Sequence, residues 1–424
     1  MSTIKPIIGF AGMTHLGLNS AVASAEKGFH IVGFDENHSV ISDLQKSQTA
    51  INEPDLHKLL LKNKNSLEFS SSIDSLKKCD IVYISLDVPT DSSGASDLTP
   101  VLRMIELVNK NISENALLVV LCQVPPGFTR KISRAPKKLY YQVETLIFGR
   151  AMERALLPER FIIGCADPNS PIDERYKNYL ESFACPLLPM RYESAELAKT
   201  AINLFLAASV STANTLAEIC EKIGADWKEI IPSLQLDKRI GKFAYIHPGL
   251  GLSGGNIERD LKTIAQIGYE NGAKNNIPTA YIEHSQYRKK WPIRKFYENF
   301  DAHKSQNFNV CILGLAYKEN THSVKNSPAV ELIEALPEIS IKAYDPIVKD
   351  LNSRKKITLS DSAYDAAKNC DIVFIMTPWD EFKSLDWNKI ASSMRGKIFI
   401  DPYRLVSLNK ENQNQFIIKV LGKD

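Results

Sequence analysis

The chain has 424 residues, too many for one compact core, so two or three domains are expected. Apolar residues make up 44% and charged residues 24%, an ordinary globular balance, and a net charge of +3 without a dense basic run argues against nucleic acid or an anionic membrane as partner. The opening MSTIKPIIGFAGM lacks a signal-peptide pattern, no apolar run is long enough to span a membrane, and seven scattered cysteines without CxxC or zinc spacing point to a reducing, cytoplasmic setting and no metal site.

In chain order, Pro6–Gly9 (PIIG) is the first short β-rich run ending at glycine. Gly12-Met13-Thr14-His15-Leu16-Gly17 follows, a form of the G-x-G-x-x-G dinucleotide fingerprint in which Thr14 takes the place of the second glycine. Threonine is small and its hydroxyl suits a phosphate oxygen, while the helix start beyond it offers free N–H groups to an anion. Asp35 closes the next strand, Ile31–Phe34, 23 positions after Gly12. An acid there accepts hydrogen bonds from ribose hydroxyls and repels a 2′-phosphate, which favours NAD over NADP. His15 reads as a surface or phosphate-side residue.

Further buried parallel strands are expected at Ile81–Leu86, Leu117–Leu121 and Phe161–Ile163. Ser194 to Ile223 contains no proline and repeats apolar residues at helical spacing, so it reads as one helix of about thirty residues, a spine and a dimer surface. Gly249–Gly255 (GLGLSGG) is a loop, and helix resumes from Ile257 to about Asn271. Val310–Gly314, Ile341–Tyr344, Ile372–Met376 and Ile398–Ile400 then read as strands of a second doubly wound domain.

Several segments, in order, resemble the UDP-glucose and GDP-mannose dehydrogenase family. Asp87–Asp97 (DVPTDSSGASD) is similar to its V-P-T-P loop, Cys122–Thr129 (CQVPPGFT) to S-T-V-P-x-G-T, and Val143–Gly149 (VETLIFG) to P-E-F-L-x-E-G. Glu196–Asn203 (ELAKTAIN) resembles the helix with the catalytic lysine and asparagine, and Ile246–Asp260 (IHPGLGLSGGNIERD) resembles N-P-G-x-G-x-G-G-S-C-F-P-K-D. Leu313–Pro328, Lys342–Pro346, Thr377–Trp387 and Asp401–Arg404 complete the match. The resemblance implies an α/β protein of two Rossmann-like doubly wound domains joined by a long central helix: residues 1–190 for NAD, 191–300 helical and dimerising, 301–424 for the nucleotide sugar.

It also implies roles. Lys199 stabilises an oxyanion, Asn203 and Asp260 hold a water, and Glu144 moves a proton through it. Thr90, Gln123 and Lys318 join Gly12, Thr14, Gly17 and Asp35 around the cofactor. Glu144, Thr145, Leu146, Tyr245, Gly251 and Arg404 line the substrate, with Tyr245 either stacking on the base, as a family aromatic sits there, or packing in the core. The departures are as telling. Asn256 stands at the family's nucleophilic cysteine, Arg259 at the neighbouring lysine, Cys122-Gln123 at the S-T pair, and Phe148 at the second glutamate. On its surroundings alone Asn256 reads as a turn residue, and Cys122 as a buried small side chain and not a displaced nucleophile.

The expected function is NAD-dependent oxidation of a sugar alcohol on a nucleotide-activated sugar, stopping at the carbonyl because an amide forms no thiohemiacetal. The alternative is a regulatory homologue that binds nucleotide sugar without turnover. The expected assembly is a homodimer.

Overall fold

We describe a computed structural model of the chain over residues 5–89, 96–274, 276–299, 308–351 and 357–423. It divides into two compact units, residues 1–202 and 203–424.

In the first unit, β1 (Ile8–Ala11), α1 (His15–Glu26), β2 (Ile31–Phe34), α2 (His38–Gln45), α3 (Leu56–Lys62), β3 (Leu67–Ser70) and β4 (Ile81–Ile84) come first. Then follow α4 (Thr99–Asn111), β5 (Leu117–Val120), β6 (Leu139–Gln142), α5 (Ala151–Leu156), β7 (Phe161–Cys165), α6 (Glu174–Glu181) and β8 (Leu187–Arg191). The sheet order is β3-β2-β1-β4-β5-β6-β7-β8. Every residue of β1, β2, β4 and β5 is buried, as continuous apolar runs covered on both faces should be. The order reverses between β1 and β4, the place where doubly wound sheets leave a ligand crevice at the strands' carboxyl ends.

The sheet is not wholly parallel. Phe161 lies in a strand that runs antiparallel to β6 and parallel to β8. Three strands beyond the expected set complete it. β3 and β8 form its edges and keep exposed or half-exposed residues, including Pro189, which an edge tolerates. β6 is fully buried but reads Leu-Tyr-Tyr-Gln; Gln142 Oε1 accepts from Tyr83 Oη at 2.9 Å and Tyr176 Oη at 2.8 Å, so a satisfied polar cluster replaces an apolar run.

Helix α7 (Tyr192–Ile223) has 32 residues, starting two before the expected position. The second unit continues with α8 (Trp227–Leu236), α9 (Asn256–Glu270), α10 (Asn276–Lys289) and α11 (Trp291–Asn299). Gly249–Gly255 is irregular, as expected. Next come β9 (Asn309–Leu313), α12 (Pro328–Ala335), β10 (Ser340–Tyr344), β11 (Thr358–Leu359), α13 (Ala363–Ala367) and β12 (Ile372–Ile375). The chain ends with α14 (Asp380–Lys383), α15 (Trp387–Ser393), β13 (Ile398–Ile400), α16 (Lys410–Gln413) and β14 (Ile417–Lys419). These strands form a parallel sheet ordered β11-β10-β9-β12-β13-β14. Two parallel-sheet α/β halves with the long α7 are therefore present, with Trp291 and Phe296 joining the core of the second sheet. Among the described residues no helix is long and apolar enough to cross a membrane.

One close approach sets the first crevice. A Cβ on Gly17 would sit 1.8 Å from Gly12 O, so α1 rests against the β1 turn only because residue 17 has no side chain. Gly17→Ala is expected to destabilise residues 1–202 by roughly 2–3 kcal/mol. Calorimetry should show this unit melting several degrees lower; an unchanged melting profile would contradict the packing.

Candidate active site

The fingerprint turn leaves β1 through Gly12 at φ +104, a conformation glycine permits, and Gly12 N donates to Phe34 O at 2.8 Å. Asp35 is half-buried at the end of β2. Its Oδ2 accepts from Met13 N at 2.7 Å and its Oδ1 from Asn37 N at 2.9 Å. A carboxylate has about four acceptor positions, so two N–H bonds leave Asp35 able to receive ribose hydroxyls. A glycine-supported turn, a helix start and this acid fit a bound dinucleotide.

Thr14 departs from the expected role. Its hydroxyl donates to Ser85 O at 3.2 Å and accepts from Asp87 N at 3.1 Å, so its one proton goes to the strand-β4 loop and not outward to a phosphate. His15 is also more committed than its sequence position implied. Its ring stacks on Phe148 at 4.2 Å, and its Nε2 lies 2.8 Å from Glu53 Oε1. Buried Glu53 also accepts from Gly149 N at 2.7 Å and Ala151 N at 3.2 Å, pinning the segment after β6 to α1. Gln123 is half-buried after β5, and Thr90 lies outside the described residues.

Lys199 brings the catalytic candidates of this unit together. Its ammonium donates to Glu144 O at 2.8 Å and to Glu144 Oε2 at 3.3 Å. Glu144 Oε1 accepts from Leu146 N, and Thr145 O accepts from Arg154 Nε at 3.4 Å, so the 144–146 segment is bonded within itself and held by Lys199 and Arg154. One turn before Lys199, buried Glu196 accepts from Gly127 N at 2.5 Å and Thr129 N at 2.7 Å. Burial pushes its carboxyl above the usual range, against the pull of those hydrogen bonds. Glu196 fixes the Cys122–Thr129 loop. It lay inside a recognised motif, yet was not singled out, because its backbone partners are 67 and 69 residues away in the chain.

Cys122 is fully buried; its thiol donates to Ile84 O at 3.3 Å, and burial pushes its pKa up to about 12. A neutral thiol of this kind is no nucleophile at physiological pH. All seven cysteines are unpaired, and among the described residues no cluster of three His, Cys, Asp or Glu side chains offers a metal site.

In the second unit Asn203 Nδ2 donates to Asp260 Oδ2 at 2.5 Å, and Arg259 Nε donates to Asp260 Oδ1 at 3.1 Å. Asp260 is 2% exposed. Asn203 and Asp260 therefore bond each other directly. Asn256 is not a turn residue. It opens α9, exposed, four residues before Asp260 and so on the same helix face.

The remaining candidates divide. Tyr245 is half exposed. Gly251 has φ +73 and packs so closely that a Cβ would meet Ser285 O at 2.5 Å, which gives it a structural reason to be glycine. Lys318 belongs to the second unit, with its Nζ 5.8 Å from the Tyr317 ring centroid. Arg404, at φ +58, pairs with Asp226 at 2.8 Å and donates to Leu421 O at 3.0 Å, so its guanidinium holds the start of α8.

Comparison with known proteins adds the family. Models of the UDP-glucose/GDP-mannose dehydrogenase family match residues 7–182 as its NAD binding domain, 193–286 as its central domain and 311–407 as its UDP binding domain. A UDP-glucose 6-dehydrogenase of Rickettsia bellii is 32% identical, over 93% of this chain and 94% of its own. A putative UDP-glucose 6-dehydrogenase of Bacillus subtilis is 30% identical, over 92% and 93%. The solved UDP-glucose dehydrogenase of Pyrobaculum islandicum superposes with a TM-score of 0.83 at 25% identity, covering 100% of this chain and 99% of its own. The chain belongs to the UDP-glucose/GDP-mannose dehydrogenase family and is an NAD-dependent nucleotide-sugar dehydrogenase.

Proposed function

We propose that this enzyme oxidises a primary alcohol of a UDP-hexose, of the UDP-glucose type, once, and releases a carbonyl compound. The observation that carries the reading is the pairing of intact Lys199–Glu144 and Asn203–Asp260 contacts with an amide, Asn256, at the head of α9. The relatives at 30–32% identity support the UDP-glucose type. The assignment of Asn256 to the family's cysteine position rests on the motif N-P-G-x-G-x-G-G-S-C-F-P-K-D. We keep residues 1–190, 191–300 and 301–424 as cofactor, helical and nucleotide-sugar regions.

NAD, when bound, supplies the hydride acceptor. The alcohol oxygen gains negative charge as its carbon loses hydride, and the Lys199 ammonium offsets that charge. The hydroxyl proton leaves towards Glu144, whose Oε2 is 3.3 Å from the same ammonium. Asp260, near the start of α9, is held by bonds from Asn203 and Arg259. A second oxidation through a covalent thioester needs a group that attacks the aldehyde and later departs. The Asn256 amide nitrogen does neither, because its lone pair is delocalised into the carbonyl.

Dimerisation is proposed through α7. Phe205, Leu216, Ile219 and Ile223 recur along one stripe of the helix and are 76%, 39%, 45% and 70% exposed. Light scattering should give a dimer, and Phe205→Glu combined with Ile219→Glu should shift it to monomer. A wild-type protein that is monomeric at micromolar concentration would sink this assignment.

For the cofactor, Asp35→Ala is expected to weaken NAD about 10- to 100-fold while leaving UDP-glucose binding nearly unchanged. Equal losses for both ligands in a folded variant count against Asp35 as the ribose acceptor. For the chemistry, intact-mass analysis during turnover should find no substrate adduct on the wild-type protein, and Asn256→Cys should gain both an adduct and acid formation. Rapid acid formation with an adduct on Cys122 or any other native cysteine would overturn the one-step reading.

A further inference from the structure

The crevice at the carboxyl ends of β1 and β4 already contains an anion that belongs to the chain. After β4, Asp87 N–H donates to Thr14 Oγ1 at 3.1 Å, and Asp87 Oδ2 accepts the N–H of His15 at 3.1 Å. His15 is the first residue of α1. The first-turn N–H groups of a helix have no acceptor within it and carry the positive end of its dipole, which is why dinucleotide diphosphates settle there. Here a carboxylate has taken the first of them.

Thr14 is part of the same arrangement. A glycine at that position would have no hydroxyl to receive Asp87 N–H or to donate to Ser85 O, and Thr14 does both. The unusual residue in the fingerprint and the acid after β4 thus form one local structure, built from positions 73 residues apart.

We propose that Asp87 sets the affinity for the cofactor: its carboxylate competes with the diphosphate for the first N–H of α1, and NAD binds by displacing it or after it is neutralised. The charged groups around Asp87 are the His15 ring on α1, Glu53 held against that ring, and Glu144 after β6. Asp87 is at the surface, but desolvation by the surrounding protein raises its carboxyl above the ordinary range, Glu144 adds to this, and His15 opposes it. The site is thus poorer for a second anion than a fingerprint turn facing an uncharged loop.

The test is calorimetric titration of wild type, Asp87→Asn and Asp87→Ala with NAD, ADP-ribose and adenosine. Adenosine carries the base and ribose but no diphosphate. Both variants should bind NAD and ADP-ribose about tenfold more tightly at neutral pH, with adenosine unchanged. The gain should shrink as pH falls, because protonation of Asp87 makes the wild type neutral there too; His15, Glu53 and Glu144 are present in all three proteins, so their influence largely cancels in the ratio. Unchanged or weaker NAD binding in both variants, with melting temperatures preserved, would overturn the proposal, as would an equal gain for adenosine. If wild type and variants alike fail to bind NAD and ADP-ribose, the cofactor assignment itself falls, and this proposal with it.

Discussion

Three of the polar side chains in residues 196–203 of α7 each restrain a different distant segment. Glu196 holds the 122–129 loop, Lys199 holds Glu144, and Asn203 holds Asp260. Three and four residues apart, they occupy neighbouring positions on successive helical turns. An unbroken helix fixes such spacings more rigidly than loops do, and α7 runs without a break over its 32 residues.

The two sheets share a strand order, and the acid after the corresponding strand serves differently in each. Asp35 at the end of β2 accepts two N–H bonds and remains half-exposed. Asp345, just after β10, is 2% exposed and accepts from Leu315 N, Ala316 N, Ile347 N, Val348 N and Trp379 Nε1, at 2.7 to 3.1 Å. With five donors, Asp345 has no acceptor position left for a sugar hydroxyl. It serves as a structural plug, while Asp35 keeps capacity for a ligand.

What was readable in the sequence followed from burial and periodicity. Ile31–Phe34 and Ile398–Ile400 appear as strands at the expected residues, and the unbroken apolar pattern after Ser194 is a helix. Edge strands such as β3 and β8 escaped because only part of each is buried, and β6 because its Gln142 is buried with bonds from Tyr83 and Tyr176 on other elements. Lys199, Asn203 and Asp260 came forward from the sequence because they follow a motif. An acid that finds backbone N–H groups across the chain was not legible. Glu53 reaches Gly149 over 96 residues and Asp87 reaches His15 over 72, and no local pattern encodes either. Asn256 was misread as a turn residue because its glycine-rich neighbours hide the helix that starts there.

The proposed function has a single hydride leave the sugar carbon, with Lys199 and Glu144 handling the charge and proton and no covalent step following. The most direct measurement uses UDP-glucose carrying two deuterium atoms at C6 in a single turnover, with the products analysed by mass. The account predicts one deuterium transferred to the cofactor and one retained on a carbonyl carbon. Rapid loss of both deuterium atoms to two equivalents of cofactor, with a carboxylate as product, would contradict it.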